Sequence, residues 1–375
     1  MPNQPRLLQP IALRGITLKN RIVVSPMCQY AAQDGVVGEW HKVHLGRFAM
    51  GGAGAVFVEA TAVEPRGRIT HGDVGLWTDE QGKALSNVAQ TIKQLGAVPA
   101  IQLGHAGRKA SVQRPWFGNG PLQQADIARG DRPWDVVAPS AERISDAWLL
   151  PHALEPAELD AMEEAFRMAA QRAVAAGFGL LEVHMAHGYL LHQFLSAQTN
   201  KRSDAYGGDL AGRMRFPLRV ARAVRAAAGD GLPVFTRISA QEPADAGWTM
   251  ADNLALAAEL KAIGIDVIDC STGGLGGSAT AQPLPRKPGF QVPYAAEIRK
   301  QAGIPTMAVG LILDGPQAEA ILADGSADLI AVGREFMRDP NWGVNAALAL
   351  QQENGWDAWP EQSGWWLRRR RVDAG

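Results

Sequence analysis

The 375 residues carry 37 Lys and Arg against 38 Asp and Glu, and the resulting formal charge of −1 gives no general attraction for a nucleic-acid backbone. Two cysteines without a CxxC pair argue against a disulfide framework, an iron–sulfur cluster or a structural zinc site, and they suit a reducing cytosol. Because the chain shows no export signal and no apolar run of membrane-spanning length, we expect a cytoplasmic protein without a nucleic-acid or membrane partner.

Short apolar, β-branched runs alternate with amphipathic helical segments along the chain, which is typical of repeated βα units around a parallel sheet. The predicted strands are residues 22–25, 55–61, 98–104, 180–187, 233–239, 267–271, 306–310 and 329–333. The predicted helices are residues 80–95, 156–176, 213–228, 251–263, 294–301 and 317–323. Eight strands close a barrel, so we predict an α/β fold, specifically a (β/α)8 TIM barrel.

No linker divides the sequence, and we predict one domain over residues 1–375. Residues 107–154 are rich in Pro, Trp, Asp and Arg and have no helical period. They form a long excursion after the third strand, a position where barrel enzymes build lids, so we expect a lid-like insertion. Residues 355–375 form a C-terminal tail.

Glycines follow the last two predicted strands, where Gly310 ends the seventh and Gly333 with Arg334 ends the eighth. Glycines let backbone N–H groups approach an anion, Arg334 can bind it bidentately, and these two loops are the usual phosphate site of such barrels. The same glycines could instead be ordinary strand-to-helix turn residues.

Arg237 lies on the fifth predicted strand and should point toward the site. Because an unpaired buried charge is costly, we expect a negatively charged partner, and a reduced flavin with its charge near N1 would supply one. A salt bridge to a neighbouring Asp or Glu is the alternative.

The segment 182–189 contains His184, His187 and Tyr189. Residues three apart face opposite sides of an extended strand, so the two imidazoles converge only if the strand turns between them, which Gly188 makes possible. Two convergent imidazoles could donate hydrogen bonds to one carbonyl oxygen, and Tyr189 offers a phenolic proton. Paired histidines also bind metals, but no nearby residue clearly supplies a third ligand, so we predict no metal site and keep a metal-dependent hydrolase or lyase as an alternative.

Several motifs resemble the Old Yellow Enzyme family, in particular its bacterial xenobiotic reductase and thermophilic-like branch. They are Ser25-Pro26-Met27-Cys28-Gln29-Tyr30, Gln102-Leu103-Gly104-His105-Ala106-Gly107-Arg108-Lys109, the His184 to Tyr189 stretch, and Gly333-Arg334. They occur in the family's order and spacing, and the likeness spans nearly the whole chain, which is far more specific than a single motif.

The resemblance implies a non-covalent FMN at the C-terminal face of the barrel. The residues expected around the isoalloxazine and ribityl chain are Ser25, Pro26, Met27, Cys28, Ala60, Gln102 and Arg237, and those expected around the phosphate are Gly310, Gly333 and Arg334. Cys28 matches a cysteine that tunes the flavin potential in this branch, although it could be a plain buried thiol.

For activity, the resemblance implies an NAD(P)H-dependent ene-reductase that reduces activated C=C bonds of α,β-unsaturated carbonyl or nitro compounds. His184 and His187 would bind the substrate oxygen, Tyr189 would donate the proton, and Tyr30 would be a further substrate contact. NADPH or NADH would use the same pocket, which gives ping-pong kinetics. Another FMN barrel oxidoreductase is the alternative, but it gives no reason for this grouping of side chains.

Trp366 lies in a tail that weakly resembles a segment which, in some relatives, reaches a neighbouring subunit's active site. This resemblance implies substrate binding by Trp366 in a homodimer or homotetramer. The alternative is a basic tail in solvent with an incidental aromatic residue.

Overall fold

The computed structural model describes residues 4–242, 247–276, 287–350 and 355–370. Eight parallel strands form a closed barrel in which each strand pairs with the next along the chain and the last pairs with the first, which confirms the predicted (β/α)8 architecture. The strands are β1 (Ile11–Leu13), β2 (Ile16–Leu18), β3 (Ile22–Val24), β4 (Ala55–Ala62), β5 (Val98–Gly104), β6 (Val137–Ala138), β7 (His152–Ala153), β8 (Leu180–Met185), β9 (Val234–Ser239), β10 (Val267–Ser271), β11 (Thr306–Ala308) and β12 (Leu329–Val332). The barrel consists of β3, β4, β5, β8, β9, β10, β11 and β12.

The inside of the barrel is filled by alternate side chains of its strands, as expected for this fold. The cluster includes Val23, Phe57, Ala100, Leu180, Phe235, Val267, Met307 and Leu329. The β1–β2 hairpin adds Leu13 and Leu18 to the same cluster. Since these strand residues lie near the strand starts, the hairpin closes the N-terminal end of the barrel and leaves the opposite end open for a site.

Helices cover the outside of the barrel. They are α1 (Glu39–Met50), α2 (Asp79–Gln94), α3 (Gln124–Ala128), α4 (Pro156–Ala175), α5 (Leu190–Leu195), α6 (Leu210–Ala228), α7 (Met250–Ile263), α8 (Val292–Ala302), α9 (Gly315–Ala323), α10 (Arg334–Arg338), α11 (Trp342–Ala349) and α12 (Glu361–Leu367). The six predicted helices correspond to α2, α4, α6, α7, α8 and α9. Within the described ranges, no helix combines the length and the apolar character needed to cross a bilayer.

Local sequence signals account for several helix ends. The Thr78 side chain accepts a hydrogen bond from the backbone N–H of Gln81, and the Thr249 side chain accepts one from Asp252, so α2 and α7 begin at capped residues. At the other end of α7, Gly264 adopts a left-handed conformation with φ 94°, which a glycine tolerates without steric cost.

The predicted excursion after the third barrel strand lies between β5 and α4. It contains α3 and the short paired strands β6 and β7. Its residues Ala110, Trp134 and Val136 pack in one apolar cluster with Tyr189, which follows β8. The excursion therefore lies over the C-terminal end of the barrel, beside the predicted site.

Candidate active site

A cleft of about 350 Å³ opens at the C-terminal end of the barrel. Seven of the ten predicted cofactor residues line it: Ser25, Pro26, Met27, Arg237, Gly310, Gly333 and Arg334. His187 lines the same cleft, so the barrel brings a predicted substrate residue to the predicted cofactor residues. The other three cofactor candidates lie elsewhere: Ala60 lines a small adjoining cavity with His184 and Tyr189, Gln102 is buried in the barrel, and Cys28 is half-buried.

Arg237 is buried at the inner end of the cleft, and its charge is paired. Its Nε donates to Asp269 Oδ2 at 2.5 Å, and Nη2 donates to Ser25 Oγ at 2.7 Å. The negatively charged partner expected for Arg237 includes the carboxylate that the alternative named, because Asp269 stands beside it on the adjacent strand β10. Although burial opposes the charge, the neighbouring Asp269 carboxylate raises the pKa of Arg237, so it remains a cation.

A second buried carboxyl group extends this network beneath the cleft. Gln102 Nε2 donates to Glu182 Oε1 at 2.7 Å, and the Glu182 carboxyl group in turn contacts that of Asp269. Burial raises the pKa of Glu182 well above its usual range, and the Asp269 carboxylate adds to that effect. Glu182 therefore keeps a proton and leaves Asp269 as the anion that pairs with Arg237.

The turn after β8 brings the two histidines together. The strand ends at Met185, two residues earlier than predicted, and His187 and Gly188 adopt left-handed conformations with φ 61° and 72°. The His184 and His187 ring centroids lie 5.0 Å apart, and the Tyr189 ring lies 5.1 Å from His184 and 6.4 Å from His187. The predicted convergence of these three side chains is thus present.

Both imidazoles are neutral. Burial lowers the pKa of His184 and of His187 well below the ordinary value, and the cations Arg237 and Lys109 add to the effect. The Ala186 N–H donates to His184 Nδ1 at 3.2 Å, so the ring hydrogen of His184 is on Nε2, where it can be donated to a ligand. The His187 Nε2 atom lies 2.8 Å from Ser271 Oγ.

Tyr189 and Cys28 both carry their protons. Burial raises the pKa of the Tyr189 phenol and of the Cys28 thiol well above their ordinary values. Tyr30 stands near both groups, in a left-handed conformation with φ 52°, and packs edge-on against Trp116 at 6.0 Å. Tyr189 is therefore suited to donate a proton, and Cys28 is a thiol rather than a thiolate.

Trp366 is not among the described residues that line this cleft. It is on α12, is 70% exposed and packs edge-on against Trp365, with ring centroids 4.6 Å apart. The last residues of the predicted tail, 371–375, lie outside the described residues.

Several cleft residues were not singled out from the sequence. Ser271, Thr272 and Gly273 end or follow β10, and Phe290 and Gln291 precede α8. Ser271 and Thr272 could have been found by the rule that polar residues at barrel strand ends form the site. The sequence motif of residues 102–109 includes Lys109 but did not indicate a role for it. Lys109 is buried, and its Nζ lies 5.7 Å from the Tyr189 ring centroid.

Comparison with known proteins agrees with this geometry. Residues 6–353 match the model of the NADH:flavin oxidoreductase / NADH oxidase family. The NADPH dehydrogenase of Geobacillus thermodenitrificans (strain NG80-2) is 40% identical over 360 residues, which cover 93% of this chain and 98% of that protein. The NADPH dehydrogenase of Bacillus subtilis (strain 168) is 39% identical over 361 residues, covering 94% of this chain and 99% of that protein.

Two solved structures have the same fold. Morphinone reductase in complex with tetrahydroNAD superposes with a TM-score of 0.76 at 28% identity, covering 92% of each chain. The old yellow enzyme homologue from Zymomonas mobilis superposes with a TM-score of 0.73 at 27% identity, covering 90% of this chain and 91% of that chain.

Proposed function

Because the chain belongs to the NADH:flavin oxidoreductase / NADH oxidase family, the Old Yellow Enzyme family, we propose that it is an ene-reductase acting on α,β-unsaturated carbonyl compounds. The family makes it an FMN-dependent oxidoreductase that uses NAD(P)H as reductant. Activated nitroalkenes are included in the proposal, because a nitro oxygen accepts hydrogen bonds as a carbonyl oxygen does.

The lining of the cleft fits FMN. At the buried end, Arg237 and Ser25 offer a fixed cation and a hydroxyl group to a flavin ring. At the open end, Gly310 has φ 115°, a conformation that L side chains rarely adopt, and Arg334 lies beside Gly333. We propose that these loops hold the phosphate, and that Pro26, Met27, Cys28, Ala60 and Gln102 surround the rest of the cofactor.

One observation carries the proposed activity: the His187 imidazole, which lines the cofactor cleft, converges with the His184 imidazole and the Tyr189 phenol, which line the adjoining cavity. The chemistry that bound FMN supplies is hydride transfer, accepted from the nicotinamide and passed to the β-carbon of the acceptor. As hydride adds, negative charge moves to the substrate oxygen, so imidazole N–H groups aimed at that oxygen stabilise the transition state more than the ground state.

We assign each side chain one part of this reaction. His184 donates to the substrate oxygen through Nε2, and His187 donates after its contact with Ser271 opens. Tyr189 protonates the α-carbon, because its phenol is kept protonated by burial. Tyr30 contacts the substrate from the side of Trp116, and NADPH or NADH binds in the same pocket before the substrate does.

Three further proposals concern a lid over the site, the oligomeric state and the location of the protein in the cell. We propose that residues 107–154 act as its lid, because Trp134 and Val136 pack with Tyr189. We propose that Trp366, exposed on its own chain, binds substrate at the site of a neighbouring copy in a homodimer or homotetramer. A cytoplasmic location is supported by Cys28 and Cys270, which are both free.

An anaerobic experiment tests the proposed function. NADPH should bleach the yellow colour of the purified FMN-loaded protein, and 2-cyclohexenone should then restore the colour with formation of cyclohexanone. Bleaching without restoration by the enone would contradict the proposal and favour another FMN oxidoreductase. Absence of bleaching would indicate a flavin carrier, and loss of activity on chelation would favour the metal-dependent alternative.

A further inference from the structure

The turn at His187 and Gly188 is a strained piece of backbone at the centre of the proposed site. Both residues are left-handed, with φ 61° and 72°. For a non-glycine residue such as His187 this conformation is sterically unfavourable. It persists only where the surroundings over-determine it, so something in the structure must hold it.

Four buried side chains bond every peptide N–H and C=O group of these two residues. His187 N–H donates to Ser239 Oγ at 2.9 Å, and His187 C=O accepts from Lys109 Nζ at 2.8 Å. Gly188 N–H donates to His192 Nδ1 at 2.8 Å, and Gly188 C=O accepts from Gln193 Nε2 at 2.7 Å. All four side chains belong to residues that are 3% exposed or less.

We propose that Lys109, His192, Gln193 and Ser239 are positioning residues that hold this backbone so that the His187 imidazole meets that of His184. We call these four side chains the turn clamp. The proposal rests on the proposed function, since it is the oxygen-binding pair that the turn clamp places. The clamp residues come from the loop after β5, from α5 and from the end of β9, so three parts of the barrel rim determine one imidazole.

The contacts of Lys109 fit backbone placement. A buried charged amino group is usually paired with a carboxylate, but burial lowers the pKa of Lys109 to about 7, so its charge is easily given up. The hydrogen bonds of Lys109 instead go to the carbonyl oxygens of His187 and Gly274, both at 2.8 Å. Lys109 thus ties the turn after β8 to the loop after β10, the strand whose last residue, Ser271, contacts the His187 ring.

His192 offers a matched pair of variants, because its two ring nitrogens face different partners. Nδ1 accepts from Gly188 N–H, so the ring hydrogen is on Nε2, which lies 3.1 Å from Glu242 Oε1. An Asn oxygen can occupy the place of Nδ1, whereas the longer Gln side chain reaches the place of Nε2. His192→Asn therefore keeps an acceptor for the Gly188 N–H and loses the contact with Glu242. His192→Gln keeps the contact with Glu242 and loses the acceptor for the Gly188 N–H.

The test compares these two variants as FMN-loaded proteins. Exchange of the Gly188 amide hydrogen, measured by mass spectrometry with fragmentation that resolves single amides, should accelerate in His192→Gln and stay near the wild-type rate in His192→Asn. After reduction of the flavin with dithionite, reoxidation by 2-cyclohexenone should slow on the order of 10²-fold in His192→Gln only, because a misplacement of about 1 Å costs that much. Bound FMN should be equal in all three proteins.

The proposal would be overturned if both His192 variants kept the wild-type amide exchange and reoxidation rate, or if both changed them equally. His192 would then act through Glu242 or through packing. If a His192 variant fails to fold, Ser239→Ala gives the second test: it removes the acceptor for His187 N–H, and unchanged amide exchange with an unchanged rate would overturn the turn clamp. Should the wild-type protein not reduce the enone at all, the proposed function fails, while amide exchange still decides whether the clamp exists.

Discussion

Tyr189 is the proposed proton donor, because burial keeps its phenol protonated and its ring lies 5.1 Å from that of His184. We expect Tyr189→Phe to slow enone reduction on the order of 10²-fold, the usual contribution of a general acid, while the rate of flavin bleaching by NADPH changes little. Stopped-flow measurement of the two half-reactions checks this. A similar loss in both would show that Tyr189 shapes the pocket rather than supplying the proton.

Glu59 should make the stability of the protein depend on pH. Burial raises the pKa of Glu59 to about 8 from the ordinary value of 4.5. Below pH 4.5 Glu59 is protonated in both the folded and the unfolded protein, so its titration takes nothing from the free energy of unfolding. As pH rises further, the folded state keeps a proton that the unfolded chain has released, so the free energy of unfolding falls by about 1.4 kcal/mol per pH unit until the pH reaches the folded-state pKa.

Glu59→Gln removes this titration, so the free energy of unfolding of the variant should fall less steeply as pH rises. The advantage of the wild-type protein over the variant should therefore shrink steadily between about pH 5 and about pH 8. Urea unfolding of both proteins across this range is the measurement. Asp73, whose pKa burial raises to about 6, is present in both proteins, so the effect of its own burial is common to both pH profiles. Parallel pH profiles would show that Glu59 is ionised in the folded protein throughout.

The sequence predicted which side chains reach the site, but it did not predict which residues they form hydrogen bonds with. Ser25, Arg237 and His187 were recognisable because they follow or occupy strands whose ends form the site. The pairing of Arg237 with Asp269 depends on the register of β9 against β10, and the contact of His187 with Ser271 depends on a left-handed turn. The strand register has no signal in the local sequence, and Gly188 indicates the turn but not the partner that the turn gives to His187.

At the scale of elements, the barrel strands were predicted because they are buried on both faces and read as continuous apolar runs. The hairpin strands β1 and β2 were missed, since three residues are too few to show a period. The short helix α5 was also missed, although it carries His192 and Gln193 of the turn clamp. Short elements stabilised by tertiary contacts escape pattern analysis for this reason.

The loop after β11 gives a prediction at this scale. Gly310 has φ 115°, a conformation that L side chains rarely adopt, and a Cβ there would lie 2.6 Å from the Gln291 side-chain amide, so Gly310→Ala should strain the loop. If this loop holds the FMN phosphate, the affinity for FMN should fall about tenfold, which corresponds to about 1.4 kcal/mol. Gly231→Ala is the matched control, because a Cβ at that glycine meets no atom within 4 Å. Fluorescence titration with FMN measures both; equal affinities would place the phosphate elsewhere.

At the scale of the whole molecule, closure of the barrel assembles the site from residues far apart in the chain. Ser25 Oγ accepts from Arg237 Nη2 at 2.7 Å across 212 residues of sequence, and β12 returns to pair with β3. The order of motifs along the chain was enough to predict this assembly, since a closed (β/α)8 barrel brings all its strand ends to one rim. The path of residues 107–154 could not be predicted, because it follows from tertiary packing rather than from a period.

The central claim is that the cleft binds FMN while the imidazole pair binds the acceptor oxygen. The most direct test measures bound FMN and the rate at which 2-cyclohexenone reoxidises the reduced flavin, in the wild-type protein and in His184→Ala. We predict FMN occupancy near that of the wild type and a rate lower by on the order of 10²-fold or more, as for loss of a transition-state hydrogen bond to oxygen. An unchanged rate, or parallel loss of rate and bound FMN, would contradict the claim.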